Sequence, residues 1–189
     1  MNNAALERYA RDADGRIIID IATARIDNLF QQFDHIAPFA KKDLDDDLAK
    51  YLIECAREVG NQPFVVRIHV QALPDEPIQQ QTRRSIRSYF LYRAASGQRG
   101  LRVSLRVSGI IFVAGLLLLA LSLTAHQYAI AMQPLWPRLL AEGLTVAAWV
   151  ALWQALATLL TRLPSGLREI RRYQRIAAAP VEFSRRAES

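Results

Sequence analysis

Two stretches of the chain are apolar almost without interruption. Residues 107–124 read "VSGIIFVAGLLLLALSLT" and hold no charge, and residues 139–160 read "LLAEGLTVAAWVALWQALATLL", with Glu142 as their one charge. A hydrocarbon core of about 30 Å is crossed by roughly 20 helical residues. The pattern therefore predicts transmembrane helices over residues 107–125 and 139–162, with an external loop at 126–138. Ahead of them the periods are shorter. "RIIIDIA" at 16–22 is brief and β-branched, which predicts a strand. At 62–73, Phe64, Val66, Ile68 and Val70 alternate with Val65, Arg67, His69 and Gln71, the pattern of a half-buried strand. Between the two strands, Leu44, Leu48, Tyr51, Leu52, Cys55 and Val59 recur at helical spacing. Asp43 is the expected N-cap there, acids fill the first turn, and Gly60 closes the helix.

Strand, helix, strand is a crossover unit, so the two strands are expected to be parallel neighbours. The connector at 23–42 carries Leu29, Phe30, Phe33 and Phe39 and is too apolar for a free loop. The fold class expected is an α+β membrane protein: a two-helix transmembrane hairpin with a small cytoplasmic α/β (β-α-β) domain. Its segments are a flexible tail (1–15), the α/β domain (16–76), a basic juxtamembrane helix (77–106), the hairpin, and a basic amphipathic C-terminal segment (163–189). Gly97 and Gly100 are weak points in the juxtamembrane helix. Pro164, Ser165 and Gly166 predict a turn after the second span, and "PVEF" from Pro180 is available to return to the sheet as an edge strand.

Charge turns this pattern into a topology. The 189 residues carry 24 Lys and Arg against 18 Asp and Glu, a net +6. Arg83, Arg84, Arg87, Arg93, Arg99, Arg102 and Arg106 lead into the first span, and Arg162, Arg168, Arg171, Arg172 and Arg175 follow the second. Arg138 is the only Lys or Arg between the spans. By the positive-inside rule both termini are cytoplasmic. Arg99, Arg102, Arg106, Arg168, Arg171 and Arg172 then face anionic lipid headgroups. The bilayer accounts for the basic balance, and no motif accompanies the arginines that would imply nucleic acid. The N-terminus lacks the apolar stretch of a signal peptide, so insertion through the chain's own uncleaved spans is expected.

Candidate chemistry is sparse. Asp43, Asp45, Asp47 and Glu54 match calcium-loop spacing, but Leu48 stands where the loop needs glycine. Helix capping is the simpler reading. His35, His69 and His126 lie in separate segments without metal-ligand spacing, and His69 reads as a solvated or interface histidine. The single cysteine, Cys55, falls on the apolar face of its helix. No Ser–His–Asp arrangement and no phosphate loop can be named, so neither a cofactor nor enzyme activity is expected.

The spans carry more. Gly143, Ala147, Ala151 and Ala155 repeat every four residues, and Gln154 returns to nearly the angle of Gly143. Ser108, Gly115 and Ser122 repeat every seven. These seams pack the hairpin on itself, or one of them joins copies in a homo-oligomer. Glu142 shares a face with Trp149 and Trp153, to within about 20°. With Trp136 and Arg138 close by, it is either an acid at the membrane boundary or part of an ion pathway.

Four pieces, "IDNLFQQFDHIAPFAKKDLDDDLAKYLIECARE", "SIRSYFLYRA", "EGLTVAAWVALWQ" and "RRYQRIAAAPVEF", together resemble an uncharacterised family of bacterial two-span inner-membrane proteins with a small cytoplasmic N-terminal domain. The resemblance implies the architecture and a bacterial inner membrane, and it transfers no site. The expected role is a homo-oligomeric assembly or binding module anchored at the membrane, with an unidentified cytoplasmic partner. The alternative is a small channel or transport subunit. Glu142 and Gln154 face about 120° apart, which does not make one polar stripe.

Overall fold

The structure is a computed structural model that describes residues 6–30, 44–131 and 135–185. It contains three strands, β1 (Ile17–Ala22), β2 (Phe64–Val70) and β3 (Val181–Arg185). Three α-helices of more than one turn accompany them: α1 (Asp46–Val59), α2 (Glu76–Ala131) and α3 (Leu135–Ala178). The chain divides into two compact units, Met1–Ala95 with Glu169–Ser189, and Ser96–Arg168.

The first unit is built on a sheet of order β1-β2-β3, parallel throughout. Alternation decides which side chains each face presents. Ile17, Ile19 and Ile21 of β1 lie in register with Phe64, Val66 and Ile68 of β2, and Val66 and Ile68 with Val181 and Phe183 of β3. The β1 and β2 members of this face are almost fully buried. The flanking ends of α2 and α3 cover it: the Arg83 guanidinium sits 5.4 Å from the Phe183 ring, and that of Arg175 5.3 Å from Phe64. Ile86, Phe90 and Ala94 of α2 and Ile170, Tyr173 and Ile176 of α3 are buried in the same unit. The Phe90 and Tyr173 rings lie 6.3 Å apart. α1 covers the opposite face, where Tyr51 and Cys55 border Ile18 and Asp20.

Local chemistry explains where α1 begins and ends. Asp45 is its N-cap, and the carboxylate accepts from the backbone N–H groups of Asp47 and Leu48, 3.1 Å each. Asp43, the expected cap, lies outside the described residues. Gly60 ends the helix at φ 63°, a left-handed backbone that costs glycine nothing. Arg175 then donates to the carbonyls of Gly60 and Gln62, tying the α1–β2 turn to α3. Burial lowers the Arg175 pKa.

The described part of the expected tail is folded. Ala10 accepts from the Ile18 N–H at 2.9 Å, and Arg11 bridges Ile17, so this segment lies along the edge of β1. Asp12 accepts from the Arg16 N–H at 2.8 Å, and Gly15, at φ 75°, completes the turn into the strand. In the connector, Phe30 is buried and bridges Leu44, while Asp45 donates its N–H to the Leu29 carbonyl at 2.9 Å. Phe33, His35 and Phe39 lie outside the described residues.

The helices are longer than the expected segments. α2 runs through Gly97 and Gly100 without a break and continues six residues into the expected external loop, to Ala131. α3 begins at Leu135 and passes through Pro164. The turn predicted at Pro164, Ser165 and Gly166 does not form. Thr161 Oγ1 donates to Ala157 O at 2.7 Å, Ser165 Oγ to Thr161 O at 2.9 Å, and Arg168 Nε to Pro164 O at 3.1 Å. The proline lacks an N–H for the Leu160 carbonyl four residues back, and these side-chain bonds go to the neighbouring carbonyls of Ala157, Thr161 and Pro164.

Candidate functional site

On the α1 side of the sheet the apolar residues give way to polar ones toward the carboxyl ends of the strands. Asp20, Arg67 and Glu182 are in register, and one alternate position further along so are Ala22, His69 and Ser184. Arg67 pairs with Glu182 at 3.3 Å. Ala22, directly across from His69, ends at Cβ and leaves the imidazole free to lean diagonally to Asp20. His69 Nε2 lies 2.8 Å from Asp20 Oδ1, and its Nδ1 lies 2.7 Å from Ser184 Oγ.

Hydrogen-bond capacity orients this line. A carboxylate only accepts, so with neutral imidazole Nε2 carries the proton and donates to Asp20. Nδ1 is then bare and accepts the Ser184 hydroxyl proton. The Asp20 and His69 side chains are 49% and 29% exposed, so the line is open to water.

Asp20 also borders a cavity of about 360 Å³ lined by Arg8, Tyr9, Tyr51 and Cys55. The Tyr51 hydroxyl donates to the Asp20 carbonyl at 3.3 Å. Burial, and then its contact with Cys55, push the Tyr51 pKa up to about 12. Burial also raises that of Tyr9, whose hydroxyl donates to Glu58 at 2.7 Å. That bond, with Arg8 alongside, holds the Glu58 carboxyl below its usual range. The cavity is therefore lined by neutral phenols, a buried thiol and a carboxylate-paired arginine.

The calcium spacing resolves into a helix start: Asp45 caps α1, and Asp47 lies in its first turn. Among the described residues no three His, Cys, Asp or Glu side chains converge on a metal-sized site. The sequence treats Asp20, His69 and Ser184 as separate. Alternation along 62–73 places His69 on the polar face of its strand, but Asp20 is not singled out, Ser184 lies 115 positions from His69, and no local pattern sets that register.

The second unit places the span residues on distinct faces. Ser108 and Ser122 are 3% and 1% exposed, and Gly115 between them is buried. Ala141, Ala148 and Ala155 of α3 are buried in the same unit, again seven apart. A Cβ at Gly115 would stand 3.1 Å from the Leu152 side chain and 3.3 Å from that of Ala151, so glycine permits the approach. Ser122 Oγ pairs with Thr145 Oγ1 and lies 3.4 Å from the Ala141 carbonyl.

Gly143, Ala147 and Gln154 stand outside this contact and are exposed, whereas Ala151 is half-buried. The reason is angular. A step of four residues advances about 40° beyond a full turn, while a step of seven falls about 20° short of two. The four-residue series winds off the contact, and the alanines at 141, 148 and 155 stay on it. The Gln154 amide therefore points away from the packed side of the hairpin. Glu142, Trp136 and Arg138 are exposed, as are Arg99, Arg102, Arg106, Arg168 and Arg171, and Arg172 is half-buried. Compared with family models, curated proteins and solved structures, the chain matches none of them.

Proposed function

We propose that the protein is a homo-oligomeric assembly or binding module held in a bacterial inner membrane by its helical hairpin, with both termini and the sheet-bearing unit in the cytoplasm. The observation that carries this reading is the distribution of burial along the two apolar helices. Their most apolar stretches are only 17% and 11% buried, whereas the core helix of a water-soluble domain is mostly enclosed. Ile110, Leu117, Val146, Trp149, Val150, Trp153 and Leu160 are each at least 62% exposed, and small residues fill the interior of the hairpin. Such an apolar exterior suits lipid and is too large for a water-soluble monomer. The exposed arginines at either end then meet anionic headgroups.

Reporter fusions test the anchoring directly. Fusions after position 189 and within the connection at position 133 should give opposite signals, cytoplasmic for the first and periplasmic for the second. A periplasmic signal at position 189 sinks the hairpin topology.

Oligomerisation is supported by Gln154, whose exposed amide would sit in hydrocarbon alongside exposed Gly143 and Ala147. An amide without a partner there is costly, and small neighbours let a second copy approach closely enough to supply one. Ala147→Leu should reduce the cross-linked dimer several-fold in mild detergent while leaving helix content unchanged. Leu144→Phe, on a different face, should have much less effect. Equal loss from both would remove the special standing of the Gly143 face.

A further inference from the structure

We propose that Ser184, His69 and Asp20 form a nucleophilic relay, and that the sheet-bearing unit transfers the acyl group of carboxylic esters. The proposal goes beyond the anchoring reading and does not rest on it, because all three residues belong to strands of one sheet and none to the hairpin.

Three observations converge. The hydroxyl, imidazole and carboxylate form one continuous line, with heavy-atom separations of 2.7 and 2.8 Å. Those separations are within proton-transfer reach. The line lies at the carboxyl ends of three parallel strands, the end at which parallel sheets hold their ligands. It is also open to water on one side, with the Asp20 and His69 side chains 49% and 29% exposed. A hydrogen-bonded clasp between strands does not need that accessibility.

The imidazole is reversed relative to the usual serine-hydrolase arrangement, with Nδ1 toward the serine and Nε2 toward the acid. The chemistry requires only that the nitrogen facing Oγ be unprotonated, and the Asp20 carboxylate enforces this by accepting a hydrogen bond from Nε2–H, which fixes the tautomer.

The step balances without a further reagent. Ser184 Oγ attacks the ester carbonyl carbon as its proton passes to His69 Nδ1, and the carbonyl electron pair moves onto oxygen. Collapse of that adduct breaks the bond to the alcohol, which leaves with the proton from Nδ1. Water repeats the sequence on the acyl-serine and restores Ser184. Asp20 is a positioning residue that holds the imidazole and balances its charge. Arg67 shares the face with His69, and its guanidinium is held by Glu182 at 3.3 Å.

The test uses the full chain in mild detergent and a fluorophosphonate probe, with the modified peptide identified by mass spectrometry. Labelling should fall on Ser184, require the folded protein, and drop by about a hundredfold or more in His69→Gln. Absence of label at Ser184 in protein of native helix content, or labelling unaffected by His69→Gln, would overturn the proposal and leave a structural clasp. If His69→Gln fails to fold, Ser184→Cys decides. Alkylation at that thiol, compared with wild type in which Cys55 is the only cysteine, should be fast below pH 7, because the imidazole holds the thiolate. Alkylation rising only near the ordinary thiol pKa of about 8.5 would overturn the relay.

Discussion

Phe90→Ala should destabilise the sheet-bearing unit by about 3–5 kcal/mol, the usual cost of truncating a fully enclosed aromatic side chain. Phe90 has no exposed surface, and Ile86 and Ala94, one turn to either side, are at most 3% exposed. Its ring meets that of Tyr89 edge-on at 5.3 Å and that of Tyr173 at 6.3 Å. Removing it takes away apolar burial and also leaves a void that helices cannot close without moving their backbones. The measurement needs a probe inside this unit. Trp136, Trp149 and Trp153 all lie in the other one, so their fluorescence is blind to the change. Cys55, 4% exposed and the only cysteine, reports opening through its rate of reaction with a thiol reagent. That rate should rise a hundredfold or more in Phe90→Ala, since each 1.4 kcal/mol is about a factor of ten. A rise of less than about fivefold would show that Phe90 does not hold this unit together.

What could be read in the chain beforehand follows from the range of the forces involved. Elements set by local period were legible. The alternation around Val66 and Ile68 marks β2, the spacing of Leu48, Leu52, Cys55 and Val59 marks α1, and unbroken apolar runs mark the long segments of α2 and α3. Boundaries set by compensation were not. Pro164 reads as a stop, yet a proline removes only one ladder bond and α3 continues through it to Ala178. The residues from Tyr9 to Gly15 are polar and read as a tail, yet backbone bonds along β1 hold them in place. The angular drift of a four-residue repeat was calculable, and it divides Gly143 and Ala147 from Ala155. Registers between distant segments were out of reach. Ser184 meets His69 only because β3 returns beside β2 after both long helices, a pairing across 115 positions that leaves no local signal.

That return also sets the second large effect. A fragment of residues 1–76 keeps β1, α1 and β2 but loses β3 and the ends of α2 and α3. It should not fold cooperatively. Seven large side chains of one sheet face, Ile17, Ile19, Ile21, Phe64, Val66, Ile68 and Val70, are at most 8% exposed in the complete chain. Without their cover they face water. At about 1.5–3 kcal/mol for each fully buried side chain, uncovering this face costs on the order of 10 kcal/mol or more. Domains of this size have only about 5–15 kcal/mol of net stability to lose. The fragment also frees the second edge of β2, a row of unpaired backbone groups that invites association. Size-exclusion chromatography and a thermal melt of residues 1–76 should therefore show aggregation or a broad, non-cooperative transition. The complete unit, residues 1–95 joined by a flexible linker to 169–189, should melt as one, because the segments covering that face lie within it. A sharp, monomeric melt from residues 1–76 alone would mean that β1, α1 and β2 form an independent core. β3, with Ser184, would then be an accessory to the sheet rather than part of what holds it together.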